Sequence, residues 1–371
     1  MAGGAGERFW PLSRRRRPKQ LLKLTNPDTS MLQEAIDRIA PVIPPDRVFI
    51  ITSEILQQVI RDEIKGVPAA NVVAEPSKRN TAGCIALGAA FIAERLGISA
   101  NNDDDPLTIA VLTADHAIGD PDIFCRTIDA ALQHAATSND LVTLGIRPTR
   151  PATGYGYIEY DTAAETQGEF PALPVTSFHE KPDETRARAY VEAGNFLWNS
   201  GMFFWRYDVL RQEMKRCLPA VGDKIDSLRE GLRGRSNDAV DGAHEAIRAI
   251  FDAFPDISID YGLMEKAAHV AVIPARFTWD DVGSLDALER AHPADGDGNV
   301  VQGDVVLLDM HNSLVVNATT DGRPMAVAAM GMDDVVLITT DDGILLCPRE
   351  RLQDVKKIVK EMRDRFGEKF V

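Results

Sequence analysis

The sequence predicts an α/β fold with a mostly parallel sheet and helices on both faces, followed by a small β-rich unit. Short apolar runs alternate with amphipathic segments from Ser30 to about Val282, as strands and helices do when they follow one another along the chain. From about Asn299 this alternation gives way to short apolar runs separated by Gly and Asp turns. The 371 residues are enough for one large domain and a smaller one. We therefore expect a first domain at residues 1–290 and a second, β-rich unit at 291–371 that ends in a helix.

Local patterns predict the elements of the first domain. Ser30 and Gln33 have the spacing of a capping box, and the apolar residues after them recur on one helical face. Continuous apolar runs are typical of strands that are buried on both faces of a sheet. The predicted strands are 48–51, 72–74 and 107–112, the predicted helices are 32–39, 55–60 and 81–95, a surface turn is expected at 101–105, and 207–254 is expected to be mostly helical. Ligands of such sheets bind beyond the carboxyl ends of the strands, so polar residues that follow a strand are candidates for a site.

The β-rich unit is predicted from short apolar runs and one amphipathic segment. The runs are 305–308, 314–316, 325–327, 335–338 and 345–346. Val355, Ile358, Val359 and Met362 recur at helical spacing within 351–365. This spacing predicts a terminal helix with one apolar face.

Composition and charge exclude several classes of protein. A formal net charge of -15 would repel a polyanion, so we expect no nucleic-acid partner. No apolar run approaches the ~20 residues of a membrane-spanning helix, and no apolar segment follows the charged N-terminus as it does in a signal peptide. Cys84, Cys125, Cys217 and Cys347 are far apart and form no Cys-x-x-Cys pair, which favours reduced thiols over a zinc site or a disulfide framework. We therefore expect a cytoplasmic protein with no membrane partner.

The first twenty residues contain a glycine-rich segment that suits a polyphosphate. Gly3, Gly4 and Gly6 allow sharp turns, and a run of unpaired amide N–H groups binds anions. Arg8 and Lys19 add positive charge near the two ends of this segment. The segment lacks the Gly-Lys-Ser/Thr of a P-loop and the third glycine of a dinucleotide-binding fingerprint. The simpler alternative is a glycine-rich tail that precedes a patch of arginines.

The complete N-terminal pattern is more specific than its glycines. The sequence GGAGERFWPLS at 3–13, followed by PKQ at 18–20, resembles the signature of the sugar-1-phosphate nucleotidyltransferases, and in particular of the mannose-1-phosphate guanylyltransferases. The β-rich unit resembles the C-terminal segment of the same family, so the resemblance covers nearly the whole chain. It implies a Rossmann-like nucleotidyltransferase fold and the transfer of GMP from GTP to α-D-mannose 1-phosphate, giving GDP-mannose and pyrophosphate.

The implied reaction sets the chemistry that the site must supply. An oxygen of the sugar 1-phosphate attacks the α-phosphorus of the nucleotide, and pyrophosphate leaves in line. The second pKa of a phosphate monoester is about 6, so this nucleophile is ionised near neutral pH and needs no general base. Catalysis then depends on positioning and on neutralising phosphate charge, which calls for Mg2+ and cationic side chains. The resemblance assigns the cationic roles to Arg8, Lys19 and Lys181.

Two aspartates resemble the metal ligands of the family. Asp115 follows a predicted strand and precedes His116, which we expect to orient Asp115 rather than to bind metal. The segment WDDVGS at 279–284 resembles the family pattern Trp-x-Asp-Val-Gly-Ser, which selects Asp281 over Asp280. From the residues alone, each aspartate could instead cap a turn or a helix.

Other segments resemble the sugar-binding segments of the family. Within FHEKP at 178–182, the resemblance implies that Lys181 binds the sugar phosphate and that Glu180 accepts hydrogen bonds from sugar hydroxyls. Gly156 and Asn199 lie in two further segments of this kind, and glycine there would let the backbone approach the sugar ring. The simpler alternative for the Glu-Lys-Pro sequence is a surface turn.

The segment EPSKRNTA at 75–82 resembles the segment of the guanylyl branch that binds the nucleotide base. It implies that Glu75, Asn80 and Thr81 contact the nucleotide, together with the three glycines of the N-terminal segment. Guanine presents N–H donors on its pairing edge, so acceptor groups are needed to recognise it. The segment 258–266 also matches the family, and Asp260 is expected to contact the sugar or a residue that does.

The sequence departs from the family pattern at its beginning. Family members place an apolar strand before the glycine-rich segment, and here Met1 stands at the last apolar position. Three or four missing aliphatic side chains would remove about 5–10 kcal/mol of burial, against a total stability of about 5–15 kcal/mol. We therefore expect the gene to encode further apolar residues upstream of Met1.

Two alternatives to the implied activity remain open. One is an enzyme of the same fold that uses another sugar 1-phosphate or another base. The other is an inactive homologue that acts as a regulatory subunit, although Arg8, Lys19, Asp115, Lys181 and Asp281 are all retained. The sequence also leaves a homodimer open.

Overall fold

The computed structural model divides the chain into two compact units. The structure describes residues 1–4, 6–98, 107–164, 168–233, 245–320, 322 and 324–371, so the predicted turn at 101–105 lies outside the described residues. The first unit comprises Met1–Ala2, Ile36–Thr113 and Ile118–Trp279, and the second comprises Gly3–Ala35, Ala114–Ala117 and Asp280–Val371. Three separate stretches of the chain therefore build the second unit.

A six-stranded sheet lies in the first unit. Its strands, in sheet order, are Thr108–Val111, Phe196–Arg206, Leu141–Ile146, Val270–Pro274, Leu173–His179 and Tyr157–Tyr160. Leu141–Ile146 and Val270–Pro274 pair in parallel, whereas Phe196–Arg206 runs antiparallel to each of its strand partners. A separate parallel pair is formed by Ile50–Ser53 and Val72–Glu75. The α/β class is confirmed, but this sheet is mixed rather than mostly parallel, because an apolar run indicates burial and not strand direction.

Helices cover both faces of the six-stranded sheet. The helices that lie within this unit are Glu54–Glu63, Asn80–Arg95, Pro121–Thr137, Glu184–Ala193, Tyr207–Cys217, Pro219–Gly222, Ile225–Leu232 and Glu245–Asp252, and Asp260–Met264 forms a π-helical turn. Successive side chains of a strand point to opposite faces. Phe203 packs in the apolar cluster that contains helix Asn80–Arg95, and Phe204 packs in the cluster that contains helix Pro121–Thr137. The predicted placement of helices on both faces is therefore confirmed.

The first two residues contact the edges of two strand segments in this unit. The terminal amino group of Met1 donates to the carbonyl oxygen of Leu112 at 2.9 Å. The amide of Ala2 donates to the carbonyl oxygen of Ile51 at 2.8 Å, and its own carbonyl oxygen accepts from Thr52 Oγ1 at 2.9 Å. Met1 thus bonds to the residue that follows the strand Thr108–Val111, and Ala2 bonds to the strand Ile50–Ser53.

The second unit is rich in β-structure, as the sequence predicts, and most of its strand pairs are parallel. Its strands are Val300–Gln302, Val305–Leu308, Leu314–Asn317, Val327–Met330, Val335–Thr339 and Ile344–Pro348. Leu314–Asn317 pairs in parallel with Val300–Gln302 and Val335–Thr339, and Val305–Leu308 pairs in parallel with Val327–Met330. A short helix, Ala287–Ala291, precedes the strands, and a 3-10 segment, Arg349–Asp354, leads into the terminal helix Val355–Phe366. Parallel pairing between strands that lie close in sequence is the arrangement of a β-helix.

The glycine-rich segment folds with this β-rich part of the chain. Phe9 and Trp10 pack in one apolar cluster with residues of the strands and of the terminal helix, Leu314 and Val359 among them. Trp10 Nε1 donates to the carbonyl oxygen of Phe370 at 2.8 Å. These contacts fix the segment that the sequence singled out for phosphate binding.

Two further findings concern the cysteines and membrane-spanning helices. All four cysteines are described, and each is a free thiol. Among the described residues, no helix is both long enough and apolar enough to cross a bilayer.

Candidate active site

A buried lysine lies at the centre of one group of predicted site residues in the second unit. Lys19 begins the 3-10 turn Lys19–Leu21, and its side chain is 7% exposed. Its Nζ atom donates to Asp115 Oδ2 at 3.0 Å and to the main-chain oxygen of Asp281 at 2.6 Å. The ring of Phe9 lies 5.7 Å from the same ammonium group. Lys19 therefore joins the two loops that carry the predicted metal ligands.

The surroundings of Asp115 favour its charged form. Burial by itself raises the pKa of this carboxyl, but the ammonium of Lys19 and the imidazole of His116 lower it more, and the net pKa lies below the ordinary value of 3.8. The pKa of His116 is lowered, mainly by burial, which favours the neutral imidazole. The Asp115 side chain remains 39% exposed, so its carboxylate is accessible to a ligand.

The glycine segment approaches Lys19 closely. Gly6 has a φ of 62°, and a Cβ atom there would lie 2.7 Å from the backbone nitrogen of Lys19, so only glycine fits without displacement. Gly3 and Gly4 are exposed. Arg8, on the 3-10 turn Glu7–Phe9, is exposed as well. Gly3, Gly4 and Arg8 are therefore accessible to a ligand, whereas Lys19 is buried.

Two side chains hold the carbonyl groups of this segment. Ser13 Oγ donates to the oxygen of Gly6 at 2.7 Å, and Gln20 Nε2 donates to the oxygen of Gly4 at 3.3 Å. Both donors belong to the motif that the sequence singled out. They turn the carbonyl oxygens of Gly4 and Gly6 toward protein donors.

The adjacent acids Asp280 and Asp281 have different surroundings. Asp280 Oδ1 accepts from the amide of Val282 at 2.7 Å, and both of its oxygens contact the guanidinium of Arg290, with Nη2 to Oδ1 at 3.0 Å. Val282, the next residue but one, has a φ of 48°, which is rare for a β-branched residue. The structure thus gives Asp280 a role in the loop itself, and the sequence pattern had selected Asp281 as the ligand.

The donor set fits a magnesium ion that is completed by a substrate. Among the described residues, no cluster of three or more His, Cys, Asp or Glu side chains forms a metal site. Mg2+ is commonly bound by one or two carboxylates together with substrate phosphates and water, rather than by a cage of protein ligands. Asp115 is joined to Lys19 through its carboxylate and Asp281 through its main-chain oxygen, and the binding of Mg2+ by both carboxylates stays a prediction.

A second group of predicted site residues lies in the first unit. At Gly156, a Cβ atom would lie 2.5 Å from Glu180 Oε2 and 3.3 Å from the Cβ atom of Asn199, so glycine lets these side chains converge. Asn199 donates through its backbone amide to the oxygen of Gly156 at 2.9 Å and through Nδ2 to Asp260 Oδ1 at 2.8 Å. Lys181 Nζ lies 2.8 Å from Glu180 Oε1. The structure therefore brings together Gly156, Glu180, Lys181, Asn199 and Asp260.

The charges of this group are unevenly exposed. The Lys181 side chain is 61% exposed, whereas that of Glu180 is 10% exposed. The hydrogen bond to Glu180 raises the pKa of Lys181, although partial burial opposes this effect. Burial, reinforced by the carboxylate of Glu180, raises the pKa of Asp260 to about 6. Buried acceptors beside an accessible ammonium can bind a ligand that carries both hydroxyl groups and a phosphate.

The predicted base-binding residues also lie in the first unit. Glu75 ends the strand Val72–Glu75, and burial raises the pKa of its carboxyl to about 7 while the thiol of Cys84 donates to it. Asn80, which begins the helix Asn80–Arg95, has a φ of 59° and an exposed side chain. Thr81 Oγ1 accepts from the amide of Ile259 at 2.8 Å. Their contact with a nucleotide stays a prediction.

Sequence reasoning missed two residues of these groups. Glu265 Oε1 accepts from the amide of Glu180 at 3.3 Å, and its only sequence signal was its place in the matching segment 258–266. Arg290 carried no signal at all, because its partner Asp280 lies ten residues earlier and is outside the range of helical pairing. The contact is visible only in three dimensions.

The α/β core and the group of residues around Lys19 are compatible with a nucleotidyltransferase. Comparison with known families agrees with this: residues 1–298 match the family described as nucleotidyl transferase, and residues 303–362 match the domain described as MannoseP isomerase/GMP-like beta-helix. The chain belongs to the nucleotidyl transferase family and is an enzyme of that class. The predicted fold, with its C-terminal β-rich unit, is thereby confirmed.

Known proteins similar to this chain have related names. The mannose-1-phosphate guanylyltransferase of Escherichia coli is 38% identical over 367 residues, which are 98% of this chain and 73% of that protein. The alginate biosynthesis protein AlgA of Pseudomonas aeruginosa is 36% identical over 98% of this chain and 71% of that protein. A crystal structure described as mannose-1-phosphate geranyltransferase from Thermus thermophilus has a TM-score of 0.80 and 32% identity, and the match covers 98% of both chains.

Proposed function

We propose that this enzyme transfers GMP from GTP to α-D-mannose 1-phosphate, giving GDP-mannose and pyrophosphate. The observation that carries the proposal is the Lys19 ammonium, which bonds to Asp115 Oδ2 and to the main chain of Asp281 next to the glycine-rich segment. Such an arrangement concentrates a cation and two carboxylate-bearing loops where a polyphosphate would bind. The names of the similar proteins supply the sugar and the base.

The glycine-rich segment would bind the triphosphate. The amides of Gly3, Gly4 and Gly6 are suited to phosphate oxygens, and the exposed Arg8 can add a two-pronged contact. Lys19 would neutralise developing charge without a large movement, because its two hydrogen bonds already fix its position.

Asp115 and Asp281 would hold Mg2+ in this site. When bound, the ion would neutralise triphosphate charge and polarise the phosphoryl group under attack. The lowered pKa of Asp115 keeps its carboxylate ionised at neutral pH. These assignments rest on the family pattern together with the bonds that join both loops to Lys19.

The group of residues around Gly156 would bind mannose 1-phosphate. The accessible ammonium of Lys181 suits the phosphate, and the largely buried carboxylate of Glu180 suits sugar hydroxyl groups. Asn199, fixed by Asp260, adds a further polar contact. Glu75, Asn80 and Thr81 would contact the guanine nucleotide.

The chemical step would be an in-line displacement. A phosphate oxygen of mannose 1-phosphate forms a bond to the α-phosphorus of GTP, and the bond to the pyrophosphate oxygen breaks. The attacking phosphate is ionised near neutral pH, so the protein would need to orient it and would not need to remove a proton. We further propose that residues 1–290 supply this catalytic machinery and that 291–371 form a supporting unit.

The test is the release of pyrophosphate from GTP in the presence of mannose 1-phosphate and Mg2+. We expect GDP-mannose as the co-product, and no product in excess chelator. A panel replaces mannose 1-phosphate by other sugar 1-phosphates, and GTP by ATP or UTP. It tests the alternative that the enzyme uses another sugar 1-phosphate or another base. Faster turnover with another pair would assign a different substrate, and GTP binding without turnover on any pair would favour an inactive homologue.

A further inference from the structure

The loop that carries Asp281 contains a residue in an unfavourable backbone conformation. Val282 has a φ of 48°, in the left-handed region that β-branched residues rarely occupy. Its side chain is 2% exposed and packs in the apolar cluster that also contains Phe9 and Leu285. Such strain persists only where surrounding contacts impose it, and it is concentrated at functional sites.

One peptide unit of this loop is bonded on both sides. The carbonyl oxygen of Asp281 accepts from Lys19 Nζ at 2.6 Å, and the amide of Val282, in the same peptide, donates to Asp280 Oδ1 at 2.7 Å. Because the peptide is planar, fixing its N–H group also fixes the direction of its C=O group. Asp280 therefore determines where the peptide offers its oxygen to Lys19.

Arg290 in turn fixes Asp280. Its Nε and Nη2 atoms contact the two carboxylate oxygens of Asp280, the latter at 3.0 Å, while Nη1 donates to Asp286 Oδ2 at 2.7 Å. Asp286 also accepts from Ser284 Oγ. The guanidinium thus connects both ends of the loop 280–286 to the helix Ala287–Ala291 on which Arg290 lies.

We propose that Arg290 is a positioning residue of the active site, which acts through Asp280 and the Asp281–Val282 peptide to place Lys19 and the Asp281 carboxylate. This inference rests on the proposed nucleotidyl transfer, and it assigns Arg290 no contact with substrate. Its guanidinium has a planar fork that matches a carboxylate, which a lysine ammonium cannot reproduce.

The ion pair is partly exposed, with 43% of the Arg290 side chain and 28% of the Asp280 side chain accessible. Such a pair contributes little to the stability of a fold when it stands alone, and more when it is bidentate and part of a network, as it is here. The melting temperature is therefore measured together with the properties of the site, so that a loss of folded protein is distinguished from a change in the site.

The test compares Arg290→Gln and Arg290→Lys with the unchanged protein. The control is Arg349→Gln, which removes a comparable ion pair to Glu289 on the same helix, with side chains 35% and 12% exposed, but has no bond to the loop 280–286. The measurements are Mn2+ binding in the presence of GTP, by electron paramagnetic resonance, together with kcat, both KM values and the melting temperature.

For Arg290→Gln we expect about tenfold weaker Mn2+ binding and a kcat lower by about 10- to 100-fold. The KM for mannose 1-phosphate should change less than about twofold, because the residues assigned to it lie in the other unit. Arg290→Lys should be intermediate, and Arg349→Gln should match the unchanged protein in Mn2+ binding and in kcat.

A second comparison examines the strained residue. Glycine adopts a positive φ without strain, so in a Val282→Gly background the loop should depend less on Arg290, and the loss caused by Arg290→Gln should shrink. An equal loss in both backgrounds would show that Arg290 does not act through the conformation of Val282.

Unaltered Mn2+ binding and kcat in Arg290→Gln would overturn the proposal, as would equal losses in Arg349→Gln. The experiment distinguishes failure of this proposal from failure of the proposed function. If the unchanged protein makes no GDP-mannose but its Mn2+ binding depends on Arg290 as described, the substrate assignment fails and the positioning role stands.

Discussion

The ammonium nitrogen of Lys19 lies 3.0 Å from Oδ2 of Asp115, although 96 residues separate the two in the sequence. The lysine is buried and the aspartate is partly exposed, so solvent can reach the carboxylate but hardly the ammonium. The proximity of the ammonium helps keep the pKa of Asp115 below its ordinary value. At neutral pH such a carboxylate is ionised and can bind a cation.

Asp281→Asn should lower kcat by about 100-fold or more and change the affinity for GTP only a few-fold. The ion that Asp281 would hold matters most as charge develops on the leaving pyrophosphate, so the transition state loses more than the ground state. Steady-state kinetics and calorimetric titration with GTP separate the two effects. Asp304→Asn, at an exposed acid of the same unit, is the control. Unchanged turnover in Asp281→Asn would remove this residue from the mechanism.

Lys181→Ala should raise the KM for mannose 1-phosphate by about tenfold or more and leave the binding of GTP largely intact. The ammonium is 61% exposed beside Glu180, and its charge is what would attract the sugar phosphate. Lys215→Ala, at a similarly exposed lysine of the same unit, should change neither quantity. If GTP affinity collapsed while the KM for the sugar phosphate stayed constant, the two subsites would have to be exchanged.

Gly6→Ala should destabilise the protein and impair catalysis together. The φ of 62° costs an L-residue roughly 1–2 kcal/mol, and the added Cβ atom would lie 2.7 Å from the backbone of Lys19. A lower melting temperature with a reduced kcat is the expected result. Gly296→Ala, where an added Cβ meets nothing within 4 Å, is the matched substitution and should leave both unchanged. A fully active and equally stable Gly6→Ala protein would mean that the segment adjusts freely.

Glu75→Gln should change how stability depends on pH. The folded protein raises the pKa of this carboxyl from 4.5 to about 7, so it prefers the protonated form. The stability that this preference contributes is fully present below pH 4.5 and is lost as the pH rises to about 7. At 1.36 kcal/mol per pKa unit the loss is roughly 3 kcal/mol. Melting temperatures between pH 5 and 8 should therefore fall more steeply for the unchanged protein than for Glu75→Gln.

The exposed residue Glu63 provides the control for this pH dependence. Glu63→Gln should follow the pH profile of the unchanged protein, since its side chain is not desolvated on folding. Parallel profiles for Glu75→Gln and the unchanged protein would contradict the assignment of the raised pKa to Glu75.

Local sequence patterns predicted those features that depend on near neighbours. The Ser30 half of the capping box is present, since the amide of Gln33 donates to Ser30 Oγ at 3.3 Å, and the helix that follows is Met31–Ile39. Local patterns also singled out Lys19, which lies in the N-terminal motif, and Asp115, which follows a predicted strand. Their contact with one another could be expected only from the family resemblance, since nothing in either pattern refers to the other.

Features that depend on distant partners were not predictable. The strand Phe196–Arg206 has an apolar pattern suited to either direction, and its antiparallel pairing is decided by the strands beside it. Likewise, the family pattern distinguishes Asp281 from Asp280, but it does not indicate a partner for Asp280. Arg290 engages Asp280, and nothing in the sequence points to that contact.

The bond between Trp10 and Phe370 has a consequence for synthesis of the protein on the ribosome. The donor and the acceptor are 360 residues apart, so Trp10 emerges long before the residue whose oxygen accepts its hydrogen bond. At 5–20 residues per second, the interval between them is roughly 20–70 s. During that time the aromatic side chain of Trp10 lacks its terminal partner and is available to chaperones. The glycine-rich segment should therefore reach its final packing, and bind nucleotide, only after Phe370 has emerged.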